Sequence, residues 1–208
     1  LKGWVIQLVG RGGNGYCLLV LDPAGGPHLL FGSLNYAFLN GTGWDVRHIS
    51  VANVTRGAAL TLNPLTSEPM VAYHDADPRE RYLVFKARFP NGTWSTQIID
   101  RQGDTGWMPS LAVNSTGVPR IAYMNSVGNL LYAYSRGSSW GILRVDNVTP
   151  LAGVGRVSLA VDANNTPHIA YAGGGPQYGT VGYGGLRYAS WNGSAWVRTT
   201  VMQGPAQS

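Results

Sequence analysis

Hydrophobic and polar positions alternate along this chain in short runs, and no long window carries the period of an amphipathic helix. The runs are rich in Val, Ile, Leu, Tyr and Thr. Clusters of Gly, Asn, Pro and Ser separate them, which is how strands joined by tight turns read in sequence. The pattern predicts an all-β chain.

The runs form recurring words. "SLAVNSTGVPRIAY" begins at Ser110 and "SLAVDANNTPHIAY" at Ser158. The first strand of each unit ends in Asp or Asn: "LVLD" (Leu19 to Asp22), "LTLN" (Leu60 to Asn63), "LAVN" (Leu111 to Asn114) and "LAVD" (Leu159 to Asp162). Such a residue opens a turn by bonding its own backbone. Pro27, Pro69, Pro119 or Pro167 then leads a second strand, a place where proline costs no ladder bond. A third strand starts at Leu34, Leu83, Leu130 or Leu186. A fourth opens with Trp44, Trp94, Trp140 or Trp196, and Ile49, Ile99, Val145 or Val201 follows five residues later.

Four antiparallel strands per unit, repeated at blade-like spacing, predict a β-propeller of four four-stranded blades, about 17–49, 58–99, 110–145 and 158–201, in a single domain over 1–208. Each unit buries too little apolar surface alone, so stacking through Tyr73, Tyr123 and Tyr171 should supply the core. The pattern "SLAVD…PHIAY…LRYASWNGSAW" resembles the repeat of secreted and cell-surface bacterial and archaeal propellers, within the broad sialidase-like and lectin-like propeller group. It runs from about Leu18 to Val201. Such words specify architecture strongly and chemistry hardly at all.

One strand is in surplus. In "WVIQLV", Trp4 precedes Val9 by five residues, the fourth-strand signature once more, so an extra N-terminal outer strand is expected over 4–9. An unpaired apolar edge is a template for another chain. Trp4, Val5, Ile6, Leu8 and Val9 are therefore candidate residues for strand exchange between copies, as a homo-oligomer, ring or filament. The competing expectation is that the segment packs on a neighbouring blade or is left by truncation.

Composition narrows the classes. The chain has 208 residues, 12% of them charged, and a net charge of +5. Its arginines are scattered rather than striped, against a nucleic-acid partner. No apolar run is long enough for a membrane-spanning helix, and no signal-peptide pattern stands at Leu1. The chain starts without Met, as a processed or trimmed form does. Cys17, the lone cysteine, is expected as a small buried side chain.

Seven Asn-x-Ser/Thr triplets occur, at Asn40, Asn53, Asn91, Asn114, Asn147, Asn164 and Asn192, where chance gives roughly two. Hairpin chemistry accounts for the Asn-Gly-Thr/Ser triplets at 40, 91 and 192. The remainder point to an exported, N-glycosylated extracellular or cell-surface protein.

Catalytic signatures are missing. The resemblance to sialidases would imply an arginine cluster, an acid and an activated tyrosine, but "SWNGSAW" has Asn192 where the Asp-box S-x-D-x-G-x-x-W needs Asp. No phosphate-cradling glycine loop or Gly-x-Ser-x-Gly turn occurs. The chain is read as a non-enzyme without cofactors. In "HDADPRER", Asp75 and Asp77 are weak candidates for calcium, which wants several oxygens, although pairing with Arg79 and Arg81 is the simpler use. His28 and His168 hold the same repeat position and read as strand residues. The loops carrying Trp107, Tyr178, Tyr183, Arg79 and Arg81 form a possible ligand face, with aromatic faces for sugar rings and charges for hydroxyls. Two functions stay open: a self-associating structural or adhesive surface protein, and a carbohydrate-binding, lectin-like propeller.

Overall fold

The computed structural model describes residues 5–10, 16–50, 54–77, 79, 81–148, 156–172 and 185–202. Among them are sixteen strands in four four-stranded antiparallel sheets. The first holds β1 (Cys17–Leu21), β2 (Pro27–Phe31), β3 (Asn35–Leu39) and β4 (Trp44–His48). The second holds β5 (Val54–Leu62), β6 (Pro69–Ala76), β7 (Arg81–Arg88) and β8 (Trp94–Asp100). The third holds β9 (Thr105–Val113), β10 (Pro119–Asn125), β11 (Asn129–Ser135) and β12 (Trp140–Asn147). The fourth holds β13 (Val157–Val161), β14 (Pro167–Ala172), β15 (Leu186–Trp191) and β16 (Trp196–Met202). Each sheet is a simple meander in sequence order, so the four recurring words are the four strands of one blade.

The turns form as their residues dictate. Asp22 Oδ1 accepts Gly26 N at 2.7 Å, Asn63 Oδ1 accepts Leu65 N at 2.9 Å, and Asn114 Oδ1 accepts Val118 N at 2.8 Å. In blade 4, Asp162 Oδ1 accepts Thr166 N at 2.8 Å. The outer hairpins use asparagine the same way. Asn40, Asn91 and Asn192 each accept a backbone N–H and the hydroxyl of Thr42, Thr93 or Ser194, and Asn114 does so with Thr116. Four of the Asn-x-Ser/Thr triplets thus have a turn-forming use in the fold itself. Asn53 lies outside the described residues.

The core lies between sheets. Leu30, Leu34, Tyr36 and Ile49 of blade 1 pack on Leu60, Val71, Tyr73 and Val84 of blade 2, and equivalent clusters join blades 2 and 3 and blades 3 and 4. A polar bond at one repeat position sits beside each cluster. The Tyr73, Tyr123 and Tyr171 hydroxyls donate to Ser50 Oγ (3.3 Å), Asp100 Oδ2 (2.8 Å) and Asp146 Oδ2 (2.7 Å) of the preceding blade. The expected stacking tyrosines are therefore both core and lock. Successive inner strands β1, β5, β9 and β13 pack side by side, whereas β1 and β13 do not pack on each other in the same way.

His28 and His168 also match. His28 stands between Asp22 and Tyr36, and His168 between Asp162 and Tyr188, with Nδ1 2.5 Å from the tyrosine hydroxyl in both. The same Asp–His–Tyr chain in two blades ties the first turn to the third strand.

Two expectations need correction. Cys17 is exposed, because β1 is the first inner strand and no blade covers that side of it among the described residues. Residues 5–10 form no strand, and Val5, Ile6 and Leu8 are exposed. Trp4 is outside the described residues. The physical reason is that, among the described residues, no strand pairs with the segment to offer a ladder. It instead follows blade 1, with Gln7 Oε1 accepting Trp44 Nε1 at 3.0 Å.

Candidate functional site

Inner strands β5 and β9 are longer than β1 and β13, and each carries a register shift near its start. The shifts coincide with left-handed backbone at Gly57 (φ 104°) and at its repeat counterpart Met108 (φ 49°). A bulge of this kind re-aims the flanking side chains. The residues just before, Arg56 and Trp107, are also counterparts, and they meet across the boundary between blades 2 and 3. The Arg56 guanidinium carbon lies 4.3 Å from the Trp107 ring centre. Such a contact is worth about 0.5–1 kcal/mol at an exposed site.

Asp104, in the connection from β8 to β9, organises the rest of this cleft. Its Oδ1 accepts Trp107 Nε1 at 2.6 Å and faces His74 Nε2 at 2.9 Å, and its Oδ2 accepts Arg81 Nη1 at 2.9 Å. Burial acts to raise the Asp104 carboxyl, but hydrogen bonds from Trp107, Arg81 and His74 outweigh it and hold the pKa below the usual range. His74 is buried near the end of β6, and its pKa is lowered, first by that burial and also by the charges of Arg56 and Arg81, against the opposing pull of Asp104. At neutral pH the group is thus a neutral imidazole, a carboxylate and an exposed arginine, beside an indole whose ring lies under a second arginine.

A second cleft lies between blades 3 and 4 on the same face. Asp146 Oδ2 accepts the Tyr171 hydroxyl and Arg187 Nη1 (2.9 Å), and Arg198 Nη1 reaches its Oδ1 at 3.5 Å. Asp146, Arg187, Arg198, Thr199 and Thr200 line an open depression of about 250 Å³. All five lining side chains are polar, which suits a ligand rich in hydroxyls rather than an apolar one.

The structure joins Trp107 and Arg81 through Asp104, as part of one site. Arg79 stands apart in the β6–β7 turn, where its backbone N–H donates to Asp77 Oδ1 at 2.8 Å. Arg81 pairs with Asp104, not as one half of a local pair within the "HDADPRER" run. Tyr178 and Tyr183 lie outside the described residues. Among the described residues, no three His, Cys, Asp or Glu side chains stand close enough to hold a metal ion, Asp75 and Asp77 included. Sequence reasoning missed Asp146, Arg187 and Arg198. The signal that points to Asp146 is its place six residues after Trp140, matching Asp100 after Trp94.

No family model and no curated protein sequence matches the chain. Solved structures do match. The Aleuria aurantia lectin in complex with Fucα1-6GlcNAc is 14% identical with a TM-score of 0.59, over 90% of this chain and 61% of the lectin. Another structure of that fungal lectin, described as a six-bladed β-propeller with a novel fucose recognition mode, is 15% identical with a TM-score of 0.57. AofleA from Arthrobotrys oligospora is 11% identical with a TM-score of 0.54, over 86% of this chain and 54% of AofleA. The likeness is one of fold. The propeller architecture expected from the repeats is that of the Aleuria lectin, and the chain spans between half and two thirds of the length of these proteins.

Proposed function

We propose that this protein is a non-catalytic, carbohydrate-binding propeller whose ligands sit in the clefts between blades. One observation carries the reading: Arg81, Asp104 and Trp107 converge in a single cleft at the boundary of blades 2 and 3. A sugar hydroxyl is both donor and acceptor, so a neighbouring arginine and carboxylate hold a pair of hydroxyls where neither charge alone would. The fold supports this reading, since the Aleuria lectin of the same fold binds a fucosylated disaccharide. Catalysis by an activated tyrosine fits poorly. Burial raises the phenols of Tyr73 and Tyr132 to about 12, and raises those of Tyr123 and Tyr171 as well, the reverse of what a nucleophile needs.

The four blades are read as an open arc, because the first and last inner strands do not pack as neighbours do. Export and glycosylation belong to the same proposal. An intact mass of the natively produced protein above the polypeptide mass supports glycosylation, and the bare mass removes it.

Glycan-array binding with competition by free fucose tests the main claim. Retention of fucosylated glycans is expected, with Arg81→Ala weakening it about tenfold or more, the usual loss for a charged hydrogen bond. Failure to retain any glycan overturns it.

A further inference from the structure

The two clefts differ in the hydrogen-bonding capacity that their own side chains leave over. An ionised carboxylate only accepts, through about two lone-pair sites on each oxygen, and a guanidinium only donates. In the second cleft the carboxylate is filled. Asp146 Oδ2 accepts the Tyr171 hydroxyl at 2.7 Å and Arg187 Nη1 at 2.9 Å. Its Oδ1 accepts the backbone N–H of Asn147 at 2.9 Å and faces Arg198 Nη1 at 3.5 Å. In the first cleft, among the described residues, Asp104 Oδ2 accepts from Arg81 only, so acceptor capacity remains there.

The donors of the second cleft run the other way. Among the described residues, Arg187 and Arg198 each meet protein acceptors through Nη1 only, and Arg198 Nη1 also approaches the Val145 carbonyl at 3.4 Å. Their other nitrogens are unspent. Two guanidinium groups also stand against one carboxylate, so the depression is positive as well as rich in donors. A neutral sugar brings hydroxyl protons that need acceptors, and here only the threonine hydroxyls offer them. An anionic group brings no proton to place, and it takes several N–H bonds at once from guanidinium forks. Both arginines reach β12 of blade 3 from blade 4, so the site lies inside the array. Its volume of about 250 Å³ falls below the roughly 300–1,000 Å³ of sites for drug-sized ligands, which suits one sugar residue and not a chain.

We propose that the cleft between blades 3 and 4 binds a sugar residue that carries an anionic group, a carboxylate or a sulfate ester, with Arg187 and Arg198 holding the anion and Thr199 and Thr200 meeting ring hydroxyls. The inference rests on the carbohydrate-binding reading and adds a second ligand class to it. Asp104 keeps room for the protons of neutral hydroxyls, and Asp146 does not.

Titration of the 15N-labelled chain, followed through its arginine side-chain Nε–H signals, tests it. The signals of Arg187 and Arg198 are assigned with the Arg187→Lys and Arg198→Gln variants, and far-UV circular dichroism checks that each variant keeps the fold. Methyl glucuronide, glucose 6-sulfate or both should shift these two signals saturably, at least tenfold more tightly than methyl glucoside. Whichever of the two binds identifies the anion. R198Q should weaken that binding about tenfold or more, the usual loss for a charged hydrogen bond, and Arg198→Lys should recover part of it. Methyl glucoside binding as tightly as the anionic sugars, neither anionic sugar moving the two signals, or R198Q binding as tightly as the unaltered chain overturns the proposal. Retention of fucosylated glycans, measured separately, shows whether the carbohydrate-binding reading stands when this inference fails.

Discussion

The cleft between blades 2 and 3 and the cleft between blades 3 and 4 begin from one scaffold and diverge in what surrounds it. Both have a tyrosine hydroxyl on a carboxylate of the preceding blade, Tyr123 on Asp100 and Tyr171 on Asp146. In the first, Thr105 also donates to Asp100 at 3.0 Å from a fully buried position, so the lock is sealed and the accessible carboxylate is Asp104, farther out. In the second, Arg187 and Arg198 reach Asp146 directly, and the lock itself opens into the depression. What repeats holds blades together, and what departs from the repeat is what the proposed recognition would use.

The repeated part should give the largest effect when broken. Ile121→Ala, inside the cluster joining blades 2 and 3, is expected to cost about 2–5 kcal/mol, whereas Ile142→Ala, on a partly exposed strand face, should cost roughly 0.5 kcal/mol or less. Urea unfolding of the two variants measures the difference, and equal losses would mean that the blade boundary is not the core.

A finer contrast comes from the locks. Tyr123→Phe leaves a carboxylate with one buried partner, at about 1–3 kcal/mol. Tyr171→Phe leaves Asp146 with its arginines and open to water, so a smaller loss is expected by the same measurement. A larger loss for Tyr171→Phe would break the distinction between sealed and open clefts.

The smallest effect is the pH response of the first cleft. The folded pKa of His74 lies below its unfolded value, near 6.5, so the unfolded chain binds the proton more readily. The contribution is fully present above that value and is lost as pH falls below it. The lowered pKa of Asp104 acts in the same direction at more acid pH. Melting temperature followed from pH 7.5 down to 5 should fall in the unaltered chain and fall less in His74→Gln. Parallel curves would remove His74 as the source.

The blades were legible because their words repeat: Pro-led second strands, Trp-led fourth strands and Asp or Asn turns each obey local physics. Cys17 was misjudged because an apolar run says that a strand exists, not that a sheet covers it. Residues 5–10 carry an outer-strand pattern, yet pairing depends on neighbours that a pattern cannot supply. Trp107 and Arg81 were visible as face residues. That Asp104 joins them, and that Arg56 lies on Trp107, follows from bulges at Gly57 and Met108 and from contacts across blades, which lie beyond the reach of local spacing. Asp146 became visible only once Asp100 had shown what its repeat position does.

The most direct test of the account is a crystal structure of the chain soaked with Fucα1-6GlcNAc. The account predicts sugar density in the cleft of Arg81, Asp104 and Trp107, with hydroxyls within hydrogen-bond distance of the arginine and the carboxylate. Sugar bound away from both blade boundaries, or clefts empty at saturating disaccharide, would contradict it.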